Sequence, residues 1–560
     1  MPPLLLYFYV MRVVGISPSH DASVCVLNDG VIEGFYKEER YCREKKADRP
    51  YLSLIEAKNN LKGPVDKVVI ASPDPPDLYG VEDLAKRLFG CDVLDMSQVH
   101  HLQHAGLAFE NSKFDKALIF VLDRQGSLIG DCLTESETIL IGERDPYSIQ
   151  EIYKNYWGNG DSIKINKVLG ELNNGVTKHI CRSNFCLTQV YESATTLIGQ
   201  HPLENGKTMG LTAYGNPEGF PDLFVKSLDP DIQMIPNDSY FNKIEPISHA
   251  PEPVCFRDFT HMIVNHVHED HYQVYADYAK HVQNETQQSV SECIAYYSNK
   301  TGIKNIVVTG GFGMNVVANS YYVQTNPDLN FFFEPLADDT GNSIGGAMLV
   351  YKQISKDTRN YALCDTFYHG TPTSAGDLGQ DVSLSEVVDL LLHQKSIGVF
   401  QGYAEAGQRA LGNRSILFDA TNPQCKDILN SIKKREWYRP FAAIVLEEDA
   451  DIYFDMLGSS CNESMTQSYQ VRHEYRELLK GIVHVDGSCR LQTINKGHSL
   501  YDFLKELKSN DHIGVIANTS FNLAGEPLVE TVDHAIKTLN ESELDYLWFP
   551  EYSRIIKDNV

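Results

Sequence analysis

The sequence predicts an α/β protein with more than one domain. Short apolar segments that end in polar turns alternate with longer segments of helical character, which is typical of sheets covered by helices. Two such runs, at 12–39 and 117–142, repeat the same order of strands and turns. The chain has 560 residues, whereas one domain is expected to have roughly 100–200. We therefore expect several layered units rather than one core.

The first half begins with a hairpin, in which the turn Asn28–Asp29–Gly30 favours a tight reversal of the chain. The second run has a comparable polar turn at 123–126. The strands predicted in this half are 12–17, 22–27, 31–36, 117–122, 128–133, 136–141 and 305–309. The similarity of the two runs indicates a structural repeat.

A polar stretch separates this half from a second α/β unit. Residues 353–379 are rich in Asp, Asn, Gly, Thr and Pro, which is typical of a domain boundary. We place the domains at 1–360 and 361–560. Strands of the second unit are predicted at 397–401, 442–446, 482–485 and 514–517.

Charge and cysteine content exclude several classes of protein. A formal net charge of −26 argues against binding of polymeric nucleic acid, which needs clustered Lys and Arg, although a few pocket arginines still suit a small anion. Twelve cysteines without a CxxC pair indicate reduced thiols and a cytoplasmic location. The apolar segment 4–10 is too short for a membrane span and lacks a signal-peptide pattern. We expect no membrane association, and Met11 is an alternative start to Met1.

Two histidines four residues apart, His100 and His104, form the first motif. Residues at this spacing share one face of a helix, so the pair is predicted to present two imidazoles to one metal ion. The alternative interpretation of an isolated pair is a solvated helix start.

The segment 337–347 is acidic and rich in small residues, with Asp338 and Asp339 ahead of an apolar run. Capping of a helix would explain one aspartate, and a metal or phosphate site would use the same helix end. Because capping leaves the second aspartate unexplained, we predict that Asp339 joins His100 and His104 at a divalent metal. Asp338 is the alternative ligand.

The strand predicted at 305–309 runs directly into Gly310 and Gly311, with Asn315 shortly after. Glycines permit the close approach of a backbone to a nucleotide, although such turns are common in general. We take these three residues as candidate nucleotide ligands.

Three basic segments in the second domain form the richest motif. Guanidinium groups donate in pairs to phosphate and carboxylate oxygens. One basic segment would usually be a solvated surface, but three of them, together with the polar segment 518–522, favour a phosphate-binding pocket. The candidate ligands are Arg409, Arg414, Lys434, Arg439, Arg490, Asn518 and Ser520.

Taken in order, these segments resemble the NodU/CmcH family of O-carbamoyltransferases, which includes the tobramycin carbamoyltransferase. The resemblance covers essentially the whole chain from Met11. It rests on the segments 19–23, 38–40, 100–104, 206–211, 310–315, 338–346, 408–417, 435–442, 486–492 and 518–527.

The resemblance implies a Kae-type first domain of the actin-like ATPase class and a YrdC-like second domain. The second domain would make carbamoyl adenylate from carbamoyl phosphate and ATP. The first, with an Fe²⁺ ion, would then transfer the carbamoyl group to the hydroxyl of a small acceptor. Mg²⁺ would accompany ATP. Assembly of the protein into a homodimer is an open alternative.

The resemblance also suggests roles for four further residues. His20 lies in a matching segment and suits a general base, because an unperturbed imidazole has a pKa of roughly 6.5. Lys45 would hold the carbamoyl oxygen as charge develops there. Asp123 and Lys207 fall in segments that bind the nucleotide in the family.

The chain departs from the family pattern in three places. Gln408 and Ala443 stand where the family has proline, and the usual Asp-Gly-x-Gly turn is here Asp123-Arg124-Gln125-Gly126. The third departure puts a side chain where glycine would leave room for a ligand.

Two other functions share parts of this pattern. A tRNA threonylcarbamoyl-type transferase uses the same two domain types, but it would need a basic RNA-facing surface. A non-catalytic ATP-binding sensor would not need both the arginine set and the histidine–aspartate set. The acceptor itself stays open among a natural product, a sugar and a hydroxymethylated pyrimidine nucleotide.

Overall fold

The computed structural model describes residues 11–73, 78–129, 133–158, 167–171, 178–183, 186–220, 222–224, 234, 272–356 and 367–557. The predicted domain boundary at 360/361 lies outside these residues. Below, the first domain means the described residues up to 356, and the second domain means those from 367.

The first sheet has five strands, which are β1 (Arg12–Ser17), β2 (Ser23–Asn28), β3 (Val31–Lys37), β4 (Lys67–Ile70) and β5 (Val93–Asp95). Their order is β3-β2-β1-β4-β5. β1, β2 and β3 are antiparallel neighbours, while β4 and β5 continue the sheet in parallel with β1. The apolar side chains of β1 are fully buried, as a strand covered on both faces requires.

The second sheet repeats this arrangement. Its strands are β6 (Lys116–Leu122), β7 (Leu128–Ile129), β8 (Leu133–Arg144), β9 (Tyr147–Gly158), β10 (Lys167–Glu171), β11 (Lys178–Ser183), β12 (Asn305–Thr309) and β13 (Asn330–Phe333). The run β9-β8-β6-β12-β13 has three antiparallel strands followed by two parallel ones. The predicted repeat is therefore confirmed. The strand predicted at 136–141 lies inside the longer β8. Of the strand predicted at 128–133, residues 128–129 form β7, residue 133 begins β8, and 130–132 lie outside the described residues.

Nine helices accompany these sheets among the described residues of the first domain. They are α1 (Glu38–Cys42), α2 (Tyr51–Asn59), α3 (Val81–Phe89), α4 (His100–Ser112), α5 (Leu187–Leu197), α6 (Asn205–Leu211), α7 (Gln273–Thr301), α8 (Val316–Thr325) and α9 (Asn342–Ser355). α4 and α9 pack together between the two sheets. Gly345 makes this possible, because a Cβ atom there would lie 2.1 Å from the carbonyl oxygen of Gln103.

A mixed sheet of ten strands forms the centre of the second domain. The strands from 367 onward are β14 (Tyr368–Pro372), β15 (Gln380–Asp381), β16 (Ile397–Phe400), β17 (Tyr403–Glu405), β18 (Arg414–Asp419), β19 (Ala442–Leu446), β20 (Phe454–Asp455), β21 (Ser468–Val471), β22 (Ser488–Ile494), β23 (Val515–Ser520), β24 (Tyr546–Phe549) and β25 (Arg554–Lys557). The large sheet has the order β15-β25-β24-β16-β18-β23-β19-β22-β21-β20, and β14 pairs with β17. Its helices are α10 (Leu384–Leu392), α11 (Cys425–Lys433), α12 (Ala450–Tyr453), α13 (Tyr501–Ser509) and α14 (Val532–Asn540).

One predicted strand of this domain is wrong. Residues 482–485 form a turn, and the strand of this region is β22, which begins at Ser488. Ile482 is buried against the core without joining the sheet. Gly487, with a φ of +82°, reverses the chain before the strand begins.

The predicted fold class is confirmed. A duplicated α/β arrangement, as expected of a Kae-type, actin-like domain, precedes the mixed α/β sheet expected of the YrdC-like domain. Among the residues that the structure describes, no helix combines the length and apolar character needed to cross a membrane.

Arginines of α1 and the turn after it join the two domains. The guanidinium of Arg40 donates to the carbonyl oxygens of Glu405 and Gly407 at 3.1 and 3.0 Å. Arg43 donates to the carbonyl oxygen of Leu528 at 2.6 Å. Backbone acceptors have fixed positions, so these bonds define how the second domain sits on the first.

Candidate active site between the domains

A cavity of about 290 Å³ lies in the first domain at its border with the second. Its walls come from the turn after β1, the loop after β6, α5, α6 and the turn that follows β12. Gln408 and Arg409 of the second domain complete the wall. The predicted residues that line it are His20, Asp123, Gly311, Asn315, Asp339 and Arg409.

Four buried side chains converge at one side of this cavity. His100, His104, Asp123 and Asp339 each offer a ligand atom, and these atoms lie within 4.8 Å of one another. The Nε2 atoms of the two histidines are 3.2 Å apart. Asp339 Oδ1 lies 3.5 Å from His100 Nε2 and 3.3 Å from His104 Nε2. Asp123 Oδ2 lies 3.4 Å from His100 Nε2.

Three elements bring the cluster together. α4 begins at His100, so its first turn presents His100 and His104 on one face. Asp339 lies in the short 3₁₀ turn that leads into α9, which packs closely against α4. Asp123 directly follows β6, the central strand of the second sheet. The spacing of the two histidines predicts them as ligands, and capping that leaves a second aspartate unexplained predicts Asp339, whereas the family resemblance assigns Asp123 to nucleotide binding only.

The histidines and aspartates of the cluster shift one another's pKa. Burial lowers the pKa of His100, but the carboxylates of Asp339 and Asp123 outweigh it and raise that pKa to about 10. Burial raises the pKa of Asp339, yet His100 and His20 bring it well below its usual range. Two facing imidazole nitrogens between two carboxylates require protons or a cation between them. The donor set of two imidazoles and two carboxylates therefore fits a divalent transition metal.

The neighbours of the predicted ligands have other hydrogen-bond partners, although His101 Nε2 still lies 4.0 Å from Asp123 Oδ2. His101 bonds Thr138 through Nδ1 at 2.7 Å, and burial lowers its pKa to about 3. Asp338, the alternative ligand, accepts a hydrogen bond from Gln408 at 2.5 Å across the domain border and is absent from the cluster. The aspartate pair thus divides between the cluster and the second domain.

His20 stands at the cavity wall beside the cluster. Its Nδ1 lies 3.3 Å from Asp21 and its Nε2 lies 3.8 Å from Asp339, and 44% of the side chain is exposed. Burial lowers the pKa of His20, but the two carboxylates raise it to about 9. Lys46, which no sequence motif indicates, also lines the cavity and donates to Asp21 at 3.2 Å.

The predicted glycine turn supports the same region. Gly310 has a φ of +83°, and a Cβ atom there would lie 2.6 Å from the backbone of Leu122. The N–H of Gly311 donates to Asp123 at 3.1 Å. Asn315 caps α8 and donates to Gln283 at 2.9 Å. The turn thus holds Asp123 in place and leaves Gly311 and Asn315 at the cavity.

Arg124 and Glu192 form part of the wall that sequence reasoning missed. Arg124 Nε donates to Glu192 at 2.9 Å, across the cavity from the loop after β6 to α5. Burial raises the pKa of Glu192 to about 7 although Arg124 lowers it. The departure of residue 124 from the family's glycine was the one signal of this pair in the sequence.

A second group of side chains forms a cation cluster, which we define as Lys45, Arg409, Lys433, Arg435, Arg439 and Arg490. Burial together with neighbouring positive charge lowers the pKa of Lys45, Arg409, Lys433 and Arg435, and that of Arg490 to about 10. Arg490 Nε has no hydrogen-bond partner among the described residues. Cations held this close to one another are suited to binding an anion.

The sheet of the second domain aligns several members of this site. Ala442 of β19 pairs with Arg490 on one side and with Asn518 on the other. Paired residues project to the same face, so Arg490 and Asn518 share a face with Ser520, two residues further on. Asn518 donates to the carbonyl oxygen of Ala410, which places it beside the loop of Arg409.

Three predicted ligands lie away from this anion site or have other partners. Lys434 has a left-handed backbone and donates to the carbonyl oxygen of Glu541 at the surface, whereas Lys433 points inward. Arg414 is fully buried, with its guanidinium 3.7 Å from the ring centre of Phe400. Lys207 pairs with Glu436 at 2.8 Å. Lys45, predicted for the transfer site, belongs to the cation cluster.

Comparison with known families identifies both halves of the chain. Residues 65–348, just over half of the chain, match the family described as carbamoyltransferase N-terminus, and residues 388–555 match carbamoyltransferase C-terminus. Nodulation protein NolNO of Sinorhizobium fredii is 26% identical over 546 residues, covering 92% of this chain and 70% of its own. Nodulation protein U of Rhizobium tropici is 32% identical over 254 residues, covering 44% of this chain and 43% of its own.

The solved structures to which this chain is similar are more distant from it. HypF of T. kodakarensis superposes with a TM-score of 0.39 at 14% identity, over 62% of this chain and 48% of that one. Full-length HypF in its phosphate- and nucleotide-bound form gives a TM-score of 0.39 at 12% identity, over 61% and 56%. The family assignment rests on the sequence matches alone, and by them this chain belongs to the carbamoyltransferase family and is a carbamoyl-group transferase.

Proposed function

We propose that this enzyme makes carbamoyl adenylate at the cation cluster and transfers its carbamoyl group to the hydroxyl of a small acceptor in the cavity. Carbamoyl phosphate, ATP and water would yield carbamoyl adenylate, phosphate and pyrophosphate. The acceptor oxygen would then attack the carbamoyl carbon, and AMP would leave.

The position of Arg409 carries this proposal. Arg409 lines the cavity of the first domain, and its pKa is lowered by burial and by the guanidinium groups of Arg490 and Arg439 in the second domain. One residue therefore belongs to both sites. An intermediate made at one site and used at the other needs such adjacency.

The chemistry of adenylation accounts for the cation cluster. Negative charge develops on the leaving pyrophosphate, and preorganised donors stabilise such charge. Arg409, Arg439 and Arg490 would bind the phosphate oxygens, while Mg²⁺ would accompany ATP. Asn518 and Ser520, on the same sheet face, would orient the carbamoyl amide.

The four-ligand cluster would hold the metal ion, and we infer Fe²⁺ from the family. His100, His104, Asp123 and Asp339 fit it, because they are all buried and their ligand atoms already converge. When bound, such an ion would polarise an oxygen ligand and offset the carboxylate charge beside His20.

His20 is the candidate general base of the transfer. Its Nε2 faces Asp339, and that carboxylate, together with Asp21, raises the pKa of His20. Once that carboxylate is neutralised, the imidazole returns toward its usual range and accepts the hydroxyl proton. Lys45 would stabilise the carbamoyl or phosphate oxygens from the cation cluster.

Two assays test this function. The first measures pyrophosphate release from ATP with and without carbamoyl phosphate. The second uses mass spectrometry to detect one added carbamoyl group on a panel of natural products, sugars and hydroxymethylated pyrimidine nucleotides. Pyrophosphate release that does not depend on carbamoyl phosphate would contradict the proposal.

A further inference from the structure

Lys207 of the first domain uses all its donors within the protein. Its ammonium contacts Gln200 Oε1 at 2.7 Å, Glu204 Oε2 at 3.0 Å and Glu436 Oε1 at 2.8 Å. A lysine ammonium has three N–H donors, so these contacts satisfy it completely. Lys207 therefore contacts the second domain through Glu436 rather than offering free donors to a nucleotide.

Glu436 stands between Lys207 and the cation cluster. Its Oε2 lies 3.4 Å from Arg439 Nη1, which is longer than a strong charge-assisted bond. Burial raises the pKa of Glu436, while Arg439 and Lys207 lower it, so the carboxylate is ionised. This carboxylate thus divides its charge between a lysine of one domain and an arginine of the other.

Arg439 is central to the cation cluster. Its charge contributes to the lowered pKa of the five other members of that cluster. A carboxylate that closed fully on Arg439 would occupy a guanidinium edge and cancel its charge. Whether Arg439 is available for an anion therefore depends on where Glu436 is held.

The segment that carries Lys207 contacts both the cavity and the second domain. Asn205, Gly206 and Met209 of α6 line the cavity of the first domain. The carbonyl oxygen of Gly210 lies 2.8 Å from His484 Nε2 in the second domain. α6 is thus fixed between the cavity on one side and the second domain on the other.

We propose that Lys207 is a positioning residue that draws Glu436 away from Arg439, and so keeps the anion pocket of the second domain available to phosphate groups. The pocket would then depend on this side chain of the first domain as well as on Lys45. The inference rests on the proposed function for its ligand, which is a phosphate-containing substrate. It gives Lys207 a role that acts through Glu436 and does not require contact between Lys207 and the substrate.

We call this positioning of Glu436 by Lys207 the relay. It makes a prediction that a simple structural role of Lys207 does not. Lys207→Met removes the cation that holds Glu436, so the carboxylate closes on Arg439 and phosphate binding weakens, by roughly 10-fold for one lost charge-assisted bond. In the double variant Lys207→Met/Glu436→Gln no carboxylate remains to close on Arg439. Binding should then return to within about 3-fold of the wild type.

The experiment titrates inorganic pyrophosphate into each full-length variant by calorimetry. Lys207→Arg, which keeps the charge, should bind near the wild-type level, and Glu436→Gln alone should bind at least as tightly as the wild type. Lys86→Met, in an exposed pair with Glu82 on α3, is the matched surface control. Normal binding by Lys207→Met, or a double variant as weak as Lys207→Met, would overturn the relay.

A second readout separates the relay from the proposed function. In the pyrophosphate-release assay, Lys207→Met should raise KM for the phosphate substrates more than it lowers kcat. A wild type that binds pyrophosphate but does not release it from ATP with carbamoyl phosphate would refute the function and leave the relay standing. A wild type that does not bind pyrophosphate would refute the anion pocket, and the relay with it.

Discussion

Replacing Lys433 by methionine should destabilise the second domain far more than the same change at its neighbour Lys434. The Lys433 side chain is almost fully buried at the end of α11. Its ammonium contacts the carbonyl and hydroxyl oxygens of Ser520 and the carbonyl and amide oxygens of Asn522. Lys434 makes one bond, to the carbonyl oxygen of Glu541 at 3.0 Å.

The size of the effect follows from these contacts. Three donors form bonds worth about 1.5–3 kcal/mol each when one partner is charged. Removing the cation also relieves its desolvation and its repulsion by Arg435 and Lys45, which lower the pKa of Lys433. If this relief offsets about half of the loss, the net change is roughly 3 kcal/mol, against less than about 0.5 kcal/mol at Lys434.

Urea denaturation of Lys433→Met and Lys434→Met measures both values on the same protein background. Pyrophosphate release gives a second comparison, because Ser520 shares a sheet face with Arg490 and should move only when Lys433 is lost. Equal stability and equal activity of the two variants would refute the inward position of Lys433.

Three other predictions concern the metal cluster, the division of labour and pH. A His100→Ala/His104→Ala variant should lose most bound metal by elemental analysis, because half of the ligand set is gone; equal metal content would refute the cluster. His20→Ala should keep pyrophosphate release but lose transfer by roughly 10²–10⁴-fold, as for general bases, whereas Arg490→Ala should lose both. A wild-type transfer rate in His20→Ala would exclude this base. Burial raises the pKa of Glu334 from 4.5 to about 7, so the folded state binds the extra proton and loses stability as pH rises through this range. The free energy of unfolding of Glu334→Gln relative to the wild type should therefore rise by roughly 3 kcal/mol between about pH 5 and pH 8 in urea denaturation. A difference that does not change with pH would contradict this.

Local patterns in the sequence predicted the parts of the site that depend on one element. The spacing of His100 and His104 sets one face of α4, and the aspartate pair at 338–339 marks the start of α9. Asp123 joins them from the loop after β6, so no spacing within one segment could show that it belongs to the cluster. The family resemblance assigns Asp123 to a phosphate loop, and that assignment gives no indication of a role in the metal cluster.

Side-chain direction accounts for the other differences. Leu429 and Lys433 are four residues apart on α11 and share its buried face, so helix periodicity favours Lys433 as the inward residue. Lys434 follows the last helical turn with a φ of +53°, which directs its side chain outward. The strand predicted at 482–485 is wrong for a different reason, because a short apolar run is buried equally well in a turn and in a strand.

The connection between the two sites depends on one loop of the second domain. Arg40 of the first domain donates to the carbonyl oxygen of Glu405, and the carboxylate of Glu405 accepts N–H bonds from Leu411, Asn413 and Arg414. The residues between these two anchors include Arg409. Because one end of the loop is bonded to the first domain and the other to the sheet of the second, Arg409 has a fixed position at the border. The two sites are thus adjacent because of the backbone around Glu405. This backbone places the Arg409 side chain where it belongs to both sites.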